Sequence, residues 1–157
     1  MNRMRVLGAA VLLAVLAASG LHVFARSGTG ASPPQVVAAF SELIEAHRGF
    51  EAVERYVAAD FIEHDPTVPG GDRAGMIDYL KSHGWMDPAA HRTVIHRDRT
   101  IASGPYVLVH QHLQRSPSDP ILVVADIFRV EHGKIVEHWD VMQPVPASPA
   151  NTRYPMY

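Results

Sequence analysis

Cysteine is absent from the 157-residue chain, which excludes a disulfide framework, thiolate zinc sites and a cysteine nucleophile. An excess of positive charge is absent too: 14 Lys and Arg stand against 16 Asp and Glu, a formal −2 at pH 7. Two of the basic residues, Arg3 and Arg5, lie at the extreme N-terminus, so the remainder is more acidic still. A mildly acidic chain lacks the electrostatic footprint of a nucleic-acid binder, and no nucleic-acid partner is expected. Internal repeats are missing, and 47% hydrophobic residues exclude disorder as a description of the whole. What is abundant is histidine, with ten in a chain of one-domain length.

Residues 1–25 read as an address. Arg3 and Arg5 precede an apolar run from Val6 to about Ala18, and Val23-Phe24-Ala25 forms a small-x-small site before Arg26. That order matches a signal peptide cleaved near Ala25, with a secreted or periplasmic product. The alternative is an uncleaved membrane anchor over residues 6–24, since the apolar stretch approaches spanning length if His22 is tolerated. Residues 26–32 read as a flexible linker, leaving residues 33–157 as a single domain.

Within that domain, Ser32-Pro33 signals a helix start, and Val36, Val37, Phe40, Leu43, Ile44 and His47 recur at helical spacing up to Gly49. A second helix is expected over about 50–59, with Val53, Tyr56 and Val57 on one face. Residues 60–66 are expected to be extended, because Pro66 disfavours helix at Asp65. Asp72 then caps a third helix with Met76, Ile77 and Leu80 inward. From about residue 91 the period changes to two, predicting strands over 92–102, 106–114, 121–131 and 134–142, with a tight turn at His132-Gly133. Three helices followed by an antiparallel sheet is an α+β pattern, and a curved sheet closed by helices leaves a conical cavity suited to small molecules.

Both faces of strand 121–131 are apolar, so it is expected at the centre of the sheet. Asp126, in a row with Leu122, Val124 and Phe128, is then a buried carboxylate that must be paired or carry a raised pKa. That makes it a candidate general base, or alternatively a structural Asp held by hydrogen bonds. His110 and His112 share one face of strand 106–114, and His138 and Asp140 share one face of strand 134–142; parity does not say which faces point inward. His64 sits where the chain leaves the helices. His47, His83, His91, His96 and His132 lie at element ends or on a mixed-polarity strand and are read as surface residues. Only His110-x-His112 has a metal-like spacing, a weak signal, and no metal is expected.

The run Asp126-Ile127-Phe128-Arg129-Val130-Glu131-His132-Gly133-Lys134-Ile135-Val136-Glu137-His138-Trp139-Asp140 closely resembles the C-terminal signature of SnoaL-like proteins. These form the polyketide-cyclase-type branch of the nuclear-transport-factor-two-like superfamily. Phe61-Ile62-Glu63-His64-Asp65-Pro66, with Asp65 where Asn is common, the loop Val68–Asp72, the stretch Gly104–His112 and the ending through Asn151 to Met156-Tyr157 are similar to the family as well. The resemblance covers about residues 35–157. It implies a cystatin-like cone of about three helices on a curved antiparallel sheet, usually dimeric through the outer face of the sheet. It also implies chemistry without metal or cofactor, in which a pocket Asp removes an acidic C–H proton and the enolate closes a ring.

Carried onto this chain, the resemblance implies Asp126 as the base and His110 as its partner. His64, His112, His138, Asp140, Tyr56 and Phe128 are then expected to contact a small apolar carbonyl compound. Asp65 adds a negative charge near the mouth, which speaks against a role there in binding an anion. Two functions stand beside each other: a cofactor-free lyase or isomerase, and a non-catalytic module that holds a small ligand through the same polar network.

Overall fold

Ser32 caps the first helix. Its backbone N–H donates to Gln35 Oε1 at 2.8 Å, and prolines occupy the start of helix α1 (Pro33–Glu45), which buries Val36, Val37, Phe40 and Leu43. This is a computed structural model, and it describes residues 30–87, 89 and 93–157. The expected signal segment, most of the linker, His91 and the start of the strand expected from 92 lie outside the described residues. Among the described residues, no helix is long and apolar enough to cross a membrane.

After α1 the chain reverses at His47, whose φ of 55° is left-handed. The expectation of a surface residue is corrected here. His47 is buried, its Nδ1 lies 2.9 Å from the Gly84 carbonyl oxygen, and its ring packs on Trp85 with centroids 5.1 Å apart. Helix α2 spans Gly49–Tyr56, three residues shorter than expected at its C-terminal end. Val57, Ala58 and Ala59 belong instead to strand β1 (Val57–Glu63). Their helix-compatible composition is overridden by pairing, with Val57 opposite Ile135 and Glu63 opposite His138. A 3-10 turn at Pro69–Gly71 leads to α3 (Arg73–Ser82), where the Asp72 carboxylate accepts the Gly75 N–H at 2.9 Å as the N-cap.

Four longer strands follow: β2 (Val94–Ser103), β3 (Tyr106–Gln114), β4 (Leu122–Glu131) and β5 (Lys134–Pro144). The sheet order is β1-β5-β4-β3-β2, so β4 is central as its two apolar faces require. All neighbours are antiparallel except β1 and β5, which run parallel; the expected antiparallel sheet is therefore mixed. The extra strand comes from the segment that the sequence divides between a helix and an extended linker. His132 and Gly133, with φ of 49° and 77°, make the two-residue turn between β4 and β5. Register shifts at Arg97/Arg99 and Arg129/Val130 interrupt the pairing, and such irregularities increase local twist and bend. The three helices lie on the inner face of this curved sheet, and Val36, Phe40, Val53, Val107, Val109 and Phe128 fill the space between.

Candidate active site

Strand parity decides what the cavity contains. Val124, Asp126 and Phe128 of β4 face the helices, as do Val109, Gln111 and Leu113 of β3, and His138, Asp140 and Met142 of β5. Glu63 enters from the end of β1, and Tyr79 and Leu80 enter from α3. Together with apolar side chains of α1 they enclose a cavity of about 150 Å³.

Its polar floor is a buried chain of three groups. His138 Nε2 lies 3.3 Å from Asp126 Oδ1, and its Nδ1 lies 2.9 and 3.0 Å from the two Glu63 oxygens. Asp126 Oδ2 accepts from Gln111 Nε2 at 2.9 Å, and Glu63 Oε1 accepts the Asp65 backbone N–H at 3.1 Å. The Phe128 ring stacks on the imidazole at 4.7 Å. Burial alone would lower the His138 pKa, but hydrogen bonds and attraction from Asp126 and Glu63 reverse this and raise it from 6.5 to about 10. Imidazolium is thus the resting form, and both ring N–H groups donate to carboxylates. An imidazolium between two carboxylates satisfies a buried arrangement that neither acid would tolerate alone.

Asp140 differs. It stands directly opposite Asp126 across β4 and β5 and lines the cavity half-buried. Among the described residues it has no hydrogen-bond partner. Burial, opposed by His138 and reinforced by Asp65, Asp126 and Glu63, raises its carboxyl from 3.8 to about 6. Tyr79 is raised as well, first by burial and then by Asp65 and Asp140, with Arg115 and a hydrogen bond to Thr67 acting the other way. Its hydroxyl therefore stays protonated and can donate. Asp65 is buried and accepts from Thr67 N–H and Oγ1–H, each at 2.8 Å.

Several expected site residues lie elsewhere. His110 and His112 are on the outer face of β3, so His110 cannot partner Asp126 across the sheet. His112 Nδ1 instead meets the Asp98 carboxylate at 2.9 Å, and its ring stacks between His96 and Tyr157. His64 also points away from the cavity, stacked on Trp139 at 4.6 Å with its Nε2 2.9 Å from Glu137 Oε1. Tyr56 packs against the core without lining the cavity. Asp126, Phe128, His138 and Asp140 do line it.

The sequence reading missed Glu63, Gln111 and Tyr79. The signal for Gln111 was available: it interrupts a row of Val107, Val109 and Leu113 as Asp126 interrupts its own. Glu63 offers no such signal, because its extended segment carries no apolar row for a polar residue to interrupt. Among the described residues, no group of three or more His, Asp or Glu is arranged to hold a metal ion.

Known proteins bear out the architecture. Among solved structures, IdmH from Streptomyces antibioticus, described as a candidate polyketide cyclase, superposes with a TM-score of 0.57 at 18% identity, covering 71% of this chain and 92% of that one. An LEH-like epoxide hydrolase of M. tuberculosis gives 0.56 at 18% identity, covering 71% and 82%. A candidate ketosteroid isomerase from Kribbella flavida gives 0.56 at 18%, covering 77% and 84%. At these identities the likeness establishes the fold alone. Among curated proteins, none matches the sequence. The SnoaL-like domain family matches residues 37–138, which is more than half of the chain and includes both Glu63 and the Asp126–His138 pair: the protein belongs to the SnoaL-like family.

Proposed function

We propose that the protein is a cofactor-free acid/base catalyst, a lyase or isomerase, that removes a proton next to the carbonyl of a small apolar compound held in the cone. The observation that carries this reading is Asp140: a cavity carboxylate with a pKa of about 6 and no hydrogen-bond partner among the described residues. A base works best with a pKa near the working pH and a free lone pair. Asp126, the base expected from the strand pattern, has both oxygens engaged by His138 and Gln111, which suits it to holding the imidazolium in place.

In this reading an Asp140 oxygen takes the C–H proton, and the electron pair moves onto the carbonyl oxygen. The Tyr79 hydroxyl donates a hydrogen bond to the forming enolate. The enolate carbon then attacks a second carbonyl, as in aldol closure, and the Asp140 carboxyl returns its proton to the new alkoxide; in an isomerisation the proton returns instead to another carbon of a conjugated dienolate. The test is deuterium uptake into the methyl group of 2-acetonaphthone in D2O, followed by NMR. Asp140→Asn is expected to slow enzyme-dependent uptake about a hundredfold or more; uptake unchanged in that variant would overturn the mechanism.

A second reading rests on the saturation of the Glu63–His138–Asp126 chain. A fully hydrogen-bonded network can simply orient a bound molecule. A non-catalytic binding module returns its ligand chemically unchanged, with no deuterium incorporated by wild-type protein.

A further inference from the structure

Most of the charged side chains lining the cavity are paired with or hydrogen-bonded to a neighbour. Glu45 is paired with Arg97 at 3.0 Å, Glu63 and Asp126 share the His138 imidazolium, and Asp65 accepts two hydrogen bonds from Thr67. Two remain without a polar partner among the described residues: Asp140 and Arg115. Arg115 lies one residue past the end of β3, and its exposed side chain forms part of the cavity lining. Arginines 48, 55, 73, 97 and 129 have carboxylate partners; Arg99 and Arg153, like Arg115, have none among the described residues, and of these three Arg115 alone lines the cavity.

The sheet register orders the lining from floor to mouth. Phe128 stands opposite His138 at the floor, and Asp126 opposite Asp140 one rung above. Val124 then faces Met142, flanked by Gln111, and Leu113 faces Leu122 above that. Arg115 follows. A molecule lying along the cavity therefore meets a proton acceptor, then two predominantly apolar rungs, then a guanidinium. Tyr79 feels both ends, with Asp140 and Arg115 acting on its hydroxyl in opposite directions.

We infer that Arg115 is the binding residue for an anionic oxygen group of the ligand, and that the ligand class is an apolar carbonyl compound carrying a carboxylate. A guanidinium presents a planar fork of N–H donors that matches a carboxylate bidentately. At a partly solvated mouth the pairing selects one end of the ligand and so orients its carbonyl end toward Asp140. The carboxylates nearer the floor exclude the anionic end from that region. The Asp65 charge expected near the mouth is held instead by the Thr67 N–H and hydroxyl in a buried position, so in this assignment the group that meets an anion at the mouth is Arg115. The carbonyl half of this assignment rests on the proposed function; the carboxylate half does not.

The test compares two ligands on one scaffold, 2-naphthoate and 2-acetonaphthone, by isothermal titration calorimetry against wild type, Arg115→Gln and Arg115→Lys. Wild type is expected to bind 2-naphthoate about tenfold to a hundredfold more tightly than the ketone. Arg115→Gln should abolish that preference while leaving ketone affinity unchanged, and Arg115→Lys should retain part of it. Equal wild-type affinities, or a preference that survives Arg115→Gln, would overturn the proposal. The measurement involves no turnover, so a failed deuterium-uptake test leaves it standing, and its own failure leaves the Asp140 chemistry untouched.

Discussion

Two titrating groups in the cavity both cost stability as pH rises, in successive windows. Asp140 has a folded pKa of about 6, above the 3.8 of an ordinary Asp. The folded state therefore holds that proton more tightly, and ionising Asp140 costs stability as pH rises from about 4 to about 6. Asp140→Asn is expected to stabilise the protein at pH 7 by about 1 kcal/mol, a figure discounted for its half-exposed position. Urea unfolding measures this, and a loss of stability would contradict it. His138 carries a folded pKa of about 10 against 6.5. Its contribution is full below pH 6.5 and is lost as pH climbs through 10, so the urea midpoint of wild type should fall across that window. Glu63→Gln removes one of its two carboxylates and should cost about 3 kcal/mol. It should also lower the imidazole pKa seen by NMR; an unshifted imidazole would remove Glu63 from the network.

Much of this site is legible residue by residue, but only where a polar side chain breaks an apolar row. Asp126 does so in β4, and it does line the cavity. On β3 the histidines draw attention to one row, whereas the Val and Leu of the other parity mark the buried face. His110 and His112 thus fell on the wrong side. The pairing of His138 with Asp140 was visible as spacing, but its inward orientation depends on the register of β5 against β4, which one strand alone does not reveal.

At the level of elements, caps and turns were readable because single residues determine them: Ser32-Pro33, Asp72 and His132-Gly133 each sit where expected. Strand β1 is readable only as the extended segment from residue 60, without its start or its partner. It is brought into the sheet by parallel pairing with β5, more than seventy residues away for Glu63 and His138, and a local period carries no trace of such a partner. That strand supplies Glu63, whose place beside His138 follows from the same pairing. Helix α3 is held against the 3-10 turn through Gly75, where a Cβ would come within 1.5 Å of the Pro69 carbonyl oxygen. Gly75→Ala must force α3 and the Pro69 turn apart, at an expected cost of about 3 kcal/mol. A melting temperature equal to wild type would show that the approach is not tight.

For the whole molecule, the sequence anticipated three helices on a curved sheet, because the change from helical to alternating period falls cleanly between Ser82 and Val94. Dimerisation and export remain proposals at this scale. The outer face of the sheet exposes Ile101, Tyr106 and Val141 at 60%, 45% and 71%, and a homodimer through that face is the proposed assembly. Sedimentation of Ile101→Asp should then show monomer where wild type shows dimer. Export predicts that protein recovered from a secreting host begins at Arg26, which intact mass determines; a mass retaining residues 1–25 would favour the anchor.

The claim on which the functional account turns is that Asp140 accepts the proton. Its most direct test is the pH dependence of deuterium uptake into 2-acetonaphthone. The account predicts a rate that rises through an apparent pKa near 6, where Asp140 ionises, and reaches a plateau at neutral pH, with the rising limb absent in Asp140→Asn. The same limb in the Asn variant, or a rate indifferent to pH across that range, would contradict it.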